Sequence, residues 1–144
     1  MKSIIYNKYV ILFLNHTWGI IMTTIGYIAR LVFLVLGIKG RKEGFVRLYK
    51  VGLGWGGLSL GTTVIVACDC DTEDIISHEI GHGIQNAIFG VLFPFLVAIP
   101  SAIRYWYREF KYYRRDKLPK TPYDSIWFEG QATLIGIIYR VFYQ

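Results

Sequence analysis

The stretch Asp71–Phe89 reads DTEDIISHEIGHGIQNAIF, and its reading decides the fold. Asp71 or Thr72 can cap a helix, and Glu73 and Asp74 put acids in its first turn, where the helix dipole favours them. Ile75, Ile76, Ile80, Ile84, Ala87 and Ile88 recur around it, which predicts a largely buried helix running to about Phe89. Three ionisable side chains interrupt that apolar setting: His78, Glu79 and His82. Residues i and i+4 of a helix share a face, so both imidazoles can reach one Zn²⁺ at about 2.0–2.1 Å. Glu79 stands beside them, where a carboxylate can take a proton from a water that zinc has acidified to a pKa of about 7. The bland alternative is two surface histidines and a solvated glutamate. The isoleucines argue against it, because buried polar groups need partners.

A catalytic zinc takes three protein ligands and keeps one position open. A longer histidine signature needs Gly at 85 and His at 88, and Gln85 and Ile88 stand there instead. The remaining histidine, His16, lies far upstream. Of the carboxylates after His82, Glu109 and Asp116 fall in a basic run and Asp124 fits a helix cap. Glu129 is different. It sits in an apolar helical pattern with Ile126, Ala132, Leu134 and Ile137, where a lone carboxylate is costly unless paired or metal-bound. Glu129 is the expected third ligand; the alternative pairs it with an arginine or with helix termini. Amide hydrolysis also needs a donor for the developing oxyanion. Tyr105, Tyr107, Arg104 and, foremost, Tyr123 come from the intervening segment.

Upstream, Trp18–Ile38 holds one charge, Arg30, in 21 residues. As a helix that is about 31 Å, close to the hydrocarbon thickness of a bilayer. The segment reads as a retained membrane anchor over 1–38, with Trp18 at one interface and Lys39, Arg41 and Lys42 at the cytoplasmic one. Arg30 either faces protein or snorkels toward that side. Glycines then accumulate, and two strands are expected near 45–51 and 58–67 around Gly54-Trp55-Gly56-Gly57, giving a small antiparallel sheet. Residues 58–66 are placed to pair with an extended substrate. Downstream, Pro94 and Pro100 punctuate an apolar stretch too short for a simple crossing. Segment 89–113 is therefore expected to be interfacial or re-entrant. Asp124 or Ser125 should cap the last helix.

The whole chain agrees with a membrane setting. Its 144 residues are 53% hydrophobic and 18% charged, with a net charge of +6 and a mean hydropathy of +0.37. A soluble domain this small needs more polar surface. Basic residues follow apolar stretches, as in Arg104, Arg108, Lys111, Arg114 and Arg115. They are expected to face anionic lipid, and nucleic acid is not an expected partner. Cys68 and Cys70 are too close in sequence for an unstrained bridge and read as free thiols.

His-Glu-x-x-His followed by a helical glutamate resembles the gluzincin group of zinc metallopeptidases. The stretches SHEIGHGIQNAIFG (77–90), PFLVAIPSAIRYWYREF (94–110) and YDSIWFEGQAT (123–133) are similar to a group of small bacterial membrane proteins with a zinc-peptidase motif, over roughly residue 18 to the end. The resemblance implies Zn²⁺ as cofactor, His78, His82 and Glu129 as ligands, and Glu79 as general base. One departure concerns the residues behind the ligands. Many gluzincins carry Asp four positions after the glutamate, where this chain has Thr133; Asp74, one turn before His78, is the candidate substitute.

The expected architecture is α+β. An N-terminal transmembrane helix precedes a small antiparallel sheet, the metal-binding helix and C-terminal helices, a minimal zincin-like domain over 39–144. The expected function is a membrane-associated zinc metalloendopeptidase acting on a peptide or protein at the cytoplasmic face of the cell membrane. The alternative is a non-catalytic membrane protein with a structural or vestigial zinc site and a basic lipid-binding segment.

Overall fold

The computed structural model describes residues 3–112, 114 and 121–144. Five helices and a four-stranded sheet make an α+β fold: α1 (Lys8–Thr17), α2 (Ile20–Val35), β1 (Arg41–Glu43), β2 (Val46–Lys50), β3 (Gly57–Leu60), β4 (Thr63–Val66), α3 (Glu73–Phe89), α4 (Ile99–Lys111) and α5 (Trp127–Phe142).

Helix α3 is the centre of the molecule. Of the two caps the sequence offered, Thr72 serves: its side chain accepts from the Ile75 N–H, with Glu73 and Asp74 in the first turn. Residues 79–87 are all buried. Helix α5 packs against α3 at backbone distance, because glycines face the contact from both sides. A Cβ at Gly81 would overlap the Ala132 carbonyl, and one at Gly136 would overlap the Ser77 carbonyl. The expected side-chain cap of α5 is not made. Asp124 and Ser125 lie in a 3-10 turn, and the helix starts after Ile126 without a side-chain bond.

The sheet order is β1-β2-β4-β3. It corrects the expectation of an antiparallel sheet, since β2 and β4 pair in parallel, with Tyr49 opposite Ile65. The run 58–67 is two strands, not one. Gly61, at φ +65°, turns it back so that β3 and β4 form a hairpin. The Gly54–Gly56 segment thereby becomes the end of a crossover, residues 51–56, from β2 to the edge strand β3, which Gly57 begins. All four residues of β4 are buried, as a continuous β-branched run in a central strand should be.

The N-terminal segment is also reshaped. Residues 8–35 are two helices bent by 94° at Trp18-Gly19, and no single helix among the described residues is long and apolar enough to cross a membrane. Helix α1 belongs to the core: Ile11 is buried in the same cluster as Ile76, Ile80 and Ile84. Asn15 donates to Gly83 O (3.2 Å), and Asn86 donates to Asn15 Oδ1 (2.6 Å) and to Gly19 O (3.0 Å). Trp18 covers Gly90 at the end of α3 and donates to Ile88 O. Arg30 faces protein: it donates to Thr63 Oγ1 (2.7 Å) and to the Thr62 carbonyl, docking α2 on the β3–β4 turn. Beyond α3 the chain bends by 117° through Leu92–Pro94 into a π-helical turn and then α4.

Gly136→Ala should lower the unfolding free energy by at least about 1–3 kcal/mol, because backbone cannot relax as a side chain can. Thermal unfolding measures this, and a mid-helix glycine that were only a weak helix former would instead give a gain of about 0.5–1 kcal/mol.

Candidate metal centre

The α3–α5 contact sets the site. It brings Glu129, in the first turn of α5, against the two imidazoles of α3. His78 Nε2 lies 3.0 Å from Glu129 Oε2, His82 Nε2 lies 3.1 Å from it, and the two Nε2 atoms are 3.1 Å apart. Glu129 is fully buried and His82 nearly so. Among the described residues these three form the one group of potential metal ligands. The triangle is nearly equilateral. A point about 2.0–2.1 Å from all three atoms lies about 1 Å out of its plane, which is where a tetrahedral zinc would sit.

The other ring nitrogens fix the protonation. Thr133 Oγ1 donates to the Glu129 carbonyl (3.2 Å), so it is an acceptor toward His78 Nδ1 at 2.9 Å. Gln85 Nε2 donates to the Phe128 carbonyl (2.8 Å) and to Gln131 Oε1 (2.9 Å). Its Oε1 must then face His82 Nδ1, at 2.8 Å. This network assigns a proton to each Nδ1 and leaves both Nε2 lone pairs pointing at a carboxylate oxygen. Three electron-rich atoms within 3.1 Å, in a largely buried corner of the fold, repel one another unless a cation lies among them. Glu129 Oε1 is also buried with no hydrogen-bond partner. The donor set and the orphaned oxygen both fit a divalent ion. Burial opposes the Glu129 charge; where the facing Nε2 atoms of His78 and His82 carry protons, their hydrogen bonds outweigh burial and hold the carboxyl well below the usual carboxylate range, and a cation takes that place when both Nε2 atoms are bare.

Glu79 lines the same cavity as the histidines. Burial pushes its carboxyl up to about 7; Glu129 adds to the rise and His78 opposes it. Gly57, at the start of β3, makes room for it, because a Cβ there would lie 2.6 Å from Glu79 Oε1. The cavity measures about 960 Å³. Trp55 and Leu58 line it from the β3 side, and Phe93, Val97 and Trp106 from the side of α4. Of the run 58–66 expected to offer an edge for pairing, only β3 lies at the sheet edge, beside α3, while β4 is central.

Tyr123 reaches this cavity. Its ring sits 6.4 Å from that of His78, and its hydroxyl is 3.4 Å from Ser101 Oγ. Burial pushes the phenol up to about 12, so it holds its proton near neutrality. Arg104 anchors the Tyr123 loop, donating to Pro122 O, Tyr123 O and Ser125 Oγ.

Two sequence expectations change. Of the two residues expected behind the ligands, Thr133 meets His78, whereas Asp74 is exposed at the cavity rim and is outside the ligand group; Gln85 meets His82. Arg104 and Arg108 do not face lipid: Arg104 is turned onto the 122–125 loop, and Arg108 is buried and donates to Thr121 O. The carbonyls of that loop outcompete solvent for both guanidinium groups. Lys111 and Arg114 are exposed, and Arg115 lies outside the described residues. Tyr105 also lines the cavity, whereas Tyr107 is exposed. The roles of Gln85, Gly57 and Ser101 were missed. For Gln85 a signal existed: it lies one turn after His82 on a helix of buried residues.

In comparison with known proteins, no protein family, curated protein or solved structure matches the chain.

Thr133→Val should weaken metal affinity about tenfold to a hundredfold by removing the acceptor that orients His78. Competition with a chromogenic chelator measures this, and an unchanged affinity would show that Thr133 is not the orienting partner.

Proposed function

We propose that this chain is a membrane-associated, zinc-dependent peptidase of gluzincin type. The observation that carries the reading is the convergence of His78 Nε2, His82 Nε2 and Glu129 Oε2 with both Nδ1 protons directed away. Three protein ligands are the number a catalytic zinc takes, whereas structural sites take four. A bound zinc supplies Lewis acidity, polarising a substrate carbonyl and acidifying water.

The chain's own residues supply the rest. Glu79 accepts a proton from the attacking water as its oxygen bonds to the carbonyl carbon. The same carboxyl returns that proton to the amide nitrogen as the C–N bond breaks, leaving a carboxylic acid and an amine. Tyr123, protonated and beside His78, is positioned to donate to the carbonyl oxygen as charge develops on it. The edge strand β3 offers backbone pairing to an extended peptide.

Membrane contact rests on a separate observation. Ile99, Ile103, Trp106 and Phe110 share one face of α4, and all are exposed. Ile25, Ile28, Leu31, Val32 and Val35 are exposed on α2. Soluble proteins rarely leave that much apolar surface open. Lys111 and Arg114 extend the α4 face with charge suited to an anionic bilayer surface. A bilayer lying against these outer faces fits the bent helix pairs.

Glu79→Gln should cut peptide hydrolysis about 10²–10⁴-fold while zinc content stays unchanged, and Glu129→Ala should lose the metal. Metal analysis and cleavage assays on the two variants check both, and undiminished cleavage by zinc-loaded Glu79→Gln would refute the mechanism. The full chain should float with anionic vesicles, and Ile99→Glu with Ile103→Glu should reduce the floating fraction several-fold.

A further inference from the structure

Arg108 is the one strongly buried cation of the cavity. It lies two turns past Ser101 on α4, is 6% exposed and lines the same cavity as the metal ligands. Its neighbour Arg104 spends its donors on the 122–125 loop through four hydrogen bonds. Among the described residues Arg108 makes one, from Nη1 to Thr121 O at 3.0 Å. Its Nε is buried without a partner. No carboxylate of the described residues lies within ion-pair distance of it, although Asp74, Glu109 and Asp124 border the cavity. Its guanidinium sits 5.4 Å from the Tyr123 ring centre, a contact that compensates a buried cation only in part. A buried charge left without a counter-charge is costly, by several kcal/mol in general. A guanidinium fork is shaped for two parallel hydrogen bonds to a carboxylate.

We propose that Arg108 is the anchor of a carboxylate-binding subsite, so that the site takes peptides bearing a carboxylate a short distance from the bond to be cut. The peptidase reading is used only to say that the carboxylate belongs to a peptide. Distance sets where that group lies. Tyr123 bridges the two ends, its ring 6.4 Å from the His78 ring and 5.4 Å from the Arg108 guanidinium. Ser101, which lies close enough to Glu129 to favour its charge, and Arg108 are seven residues apart on one helix, about 10 Å. That length holds about three extended residues. A C-terminal carboxylate bound there places the reacting amide two or three residues from the end of the chain. An Asp or Glu side chain at the corresponding position supplies the same chemistry. The apolar walls, Trp55, Leu58, Phe93 and Val97, suit apolar residues in between.

The test measures binding without turnover. Full-length, zinc-loaded Glu79→Gln is titrated with fluorophore-labelled Leu-Leu-Phe-Leu as the free acid, as the C-terminal amide, and as an amide ending in Glu. The free acid should bind at least about tenfold tighter than the plain amide. Adding Arg108→Gln should bring that ratio close to one with zinc content unchanged, and Arg108→Lys should keep part of it. If the Glu-terminated amide equals the free acid and needs Arg108, the subsite stands and a side chain is its source. Equal binding of acid and plain amide, or a preference that survives Arg108→Gln, overturns the proposal. Should Arg108→Gln fail to fold, competition on the intact Arg108 protein decides. N-acetyl-leucine must displace the labelled acid better than N-acetyl-leucinamide, and equal displacement overturns the proposal. Because no bond is cut, absence of hydrolysis would count against the peptidase reading alone, and hydrolysis without a carboxylate preference against the subsite alone.

Discussion

The structure depends on how closely α5 approaches α3. Where most helix pairs keep 8–10 Å between axes, Gly81 and Gly136 let the carbonyls of Ala132 and Ser77 sit where side chains would normally be. Everything at the site inherits this. Glu129 has a short side chain on the first turn of α5, and it reaches the imidazoles only because the backbones meet a turn away. The same approach brings Thr133 to His78 and the Phe128 carbonyl to Gln85. One steric feature thus places the ligands and their hydrogen-bond partners together.

The electrostatics follow from that geometry. Packing drives a carboxylate and two imidazoles together at the wall of the cavity, and Thr133 and Gln85 hold the histidine Nδ1 protons away from them. The result is a strongly cation-seeking pocket. Glu79 borders the same space, and burial raises its pKa, while donation from the facing imidazoles lowers that of Glu129 where those rings carry the protons. Two carboxylates on neighbouring helices acquire different characters because only one faces both imidazoles.

Much of this was legible in the sequence where the rule is local. Helical spacing gave His78 and His82 a common face, acids and Thr72 marked the start of α3, and Glu129 stood out as a charge in an apolar helix. Non-local packing was not legible. A β-branched run from 62 to 66 announces a strand, but its parallel pairing with β2 follows from the turn at Gly61 and the crossover through 51–56. The partners of Trp18 and Arg30, Ile88 O and Thr62–Thr63, could not be named from sequence because they lie about 30 to 70 residues away. Arg104 and Arg108 were misplaced for a related reason. In sequence they belong to a basic run, while their position on α4 turns them toward a loop that arrives later in the chain.

The asparagine pair joining α1 to α3 limits how the protein can be dissected. Asn86 has its amide hydrogens satisfied by Asn15 and Gly19, and Ile11 fills the core beside Ile80. Cutting after residue 38 would leave a buried amide with nothing to bond and a trough along the helix that carries both histidines. The greasy N-terminal third is thus a wall of the body that holds His78, His82 and Glu129, and a fragment trimmed of it would report on a damaged molecule.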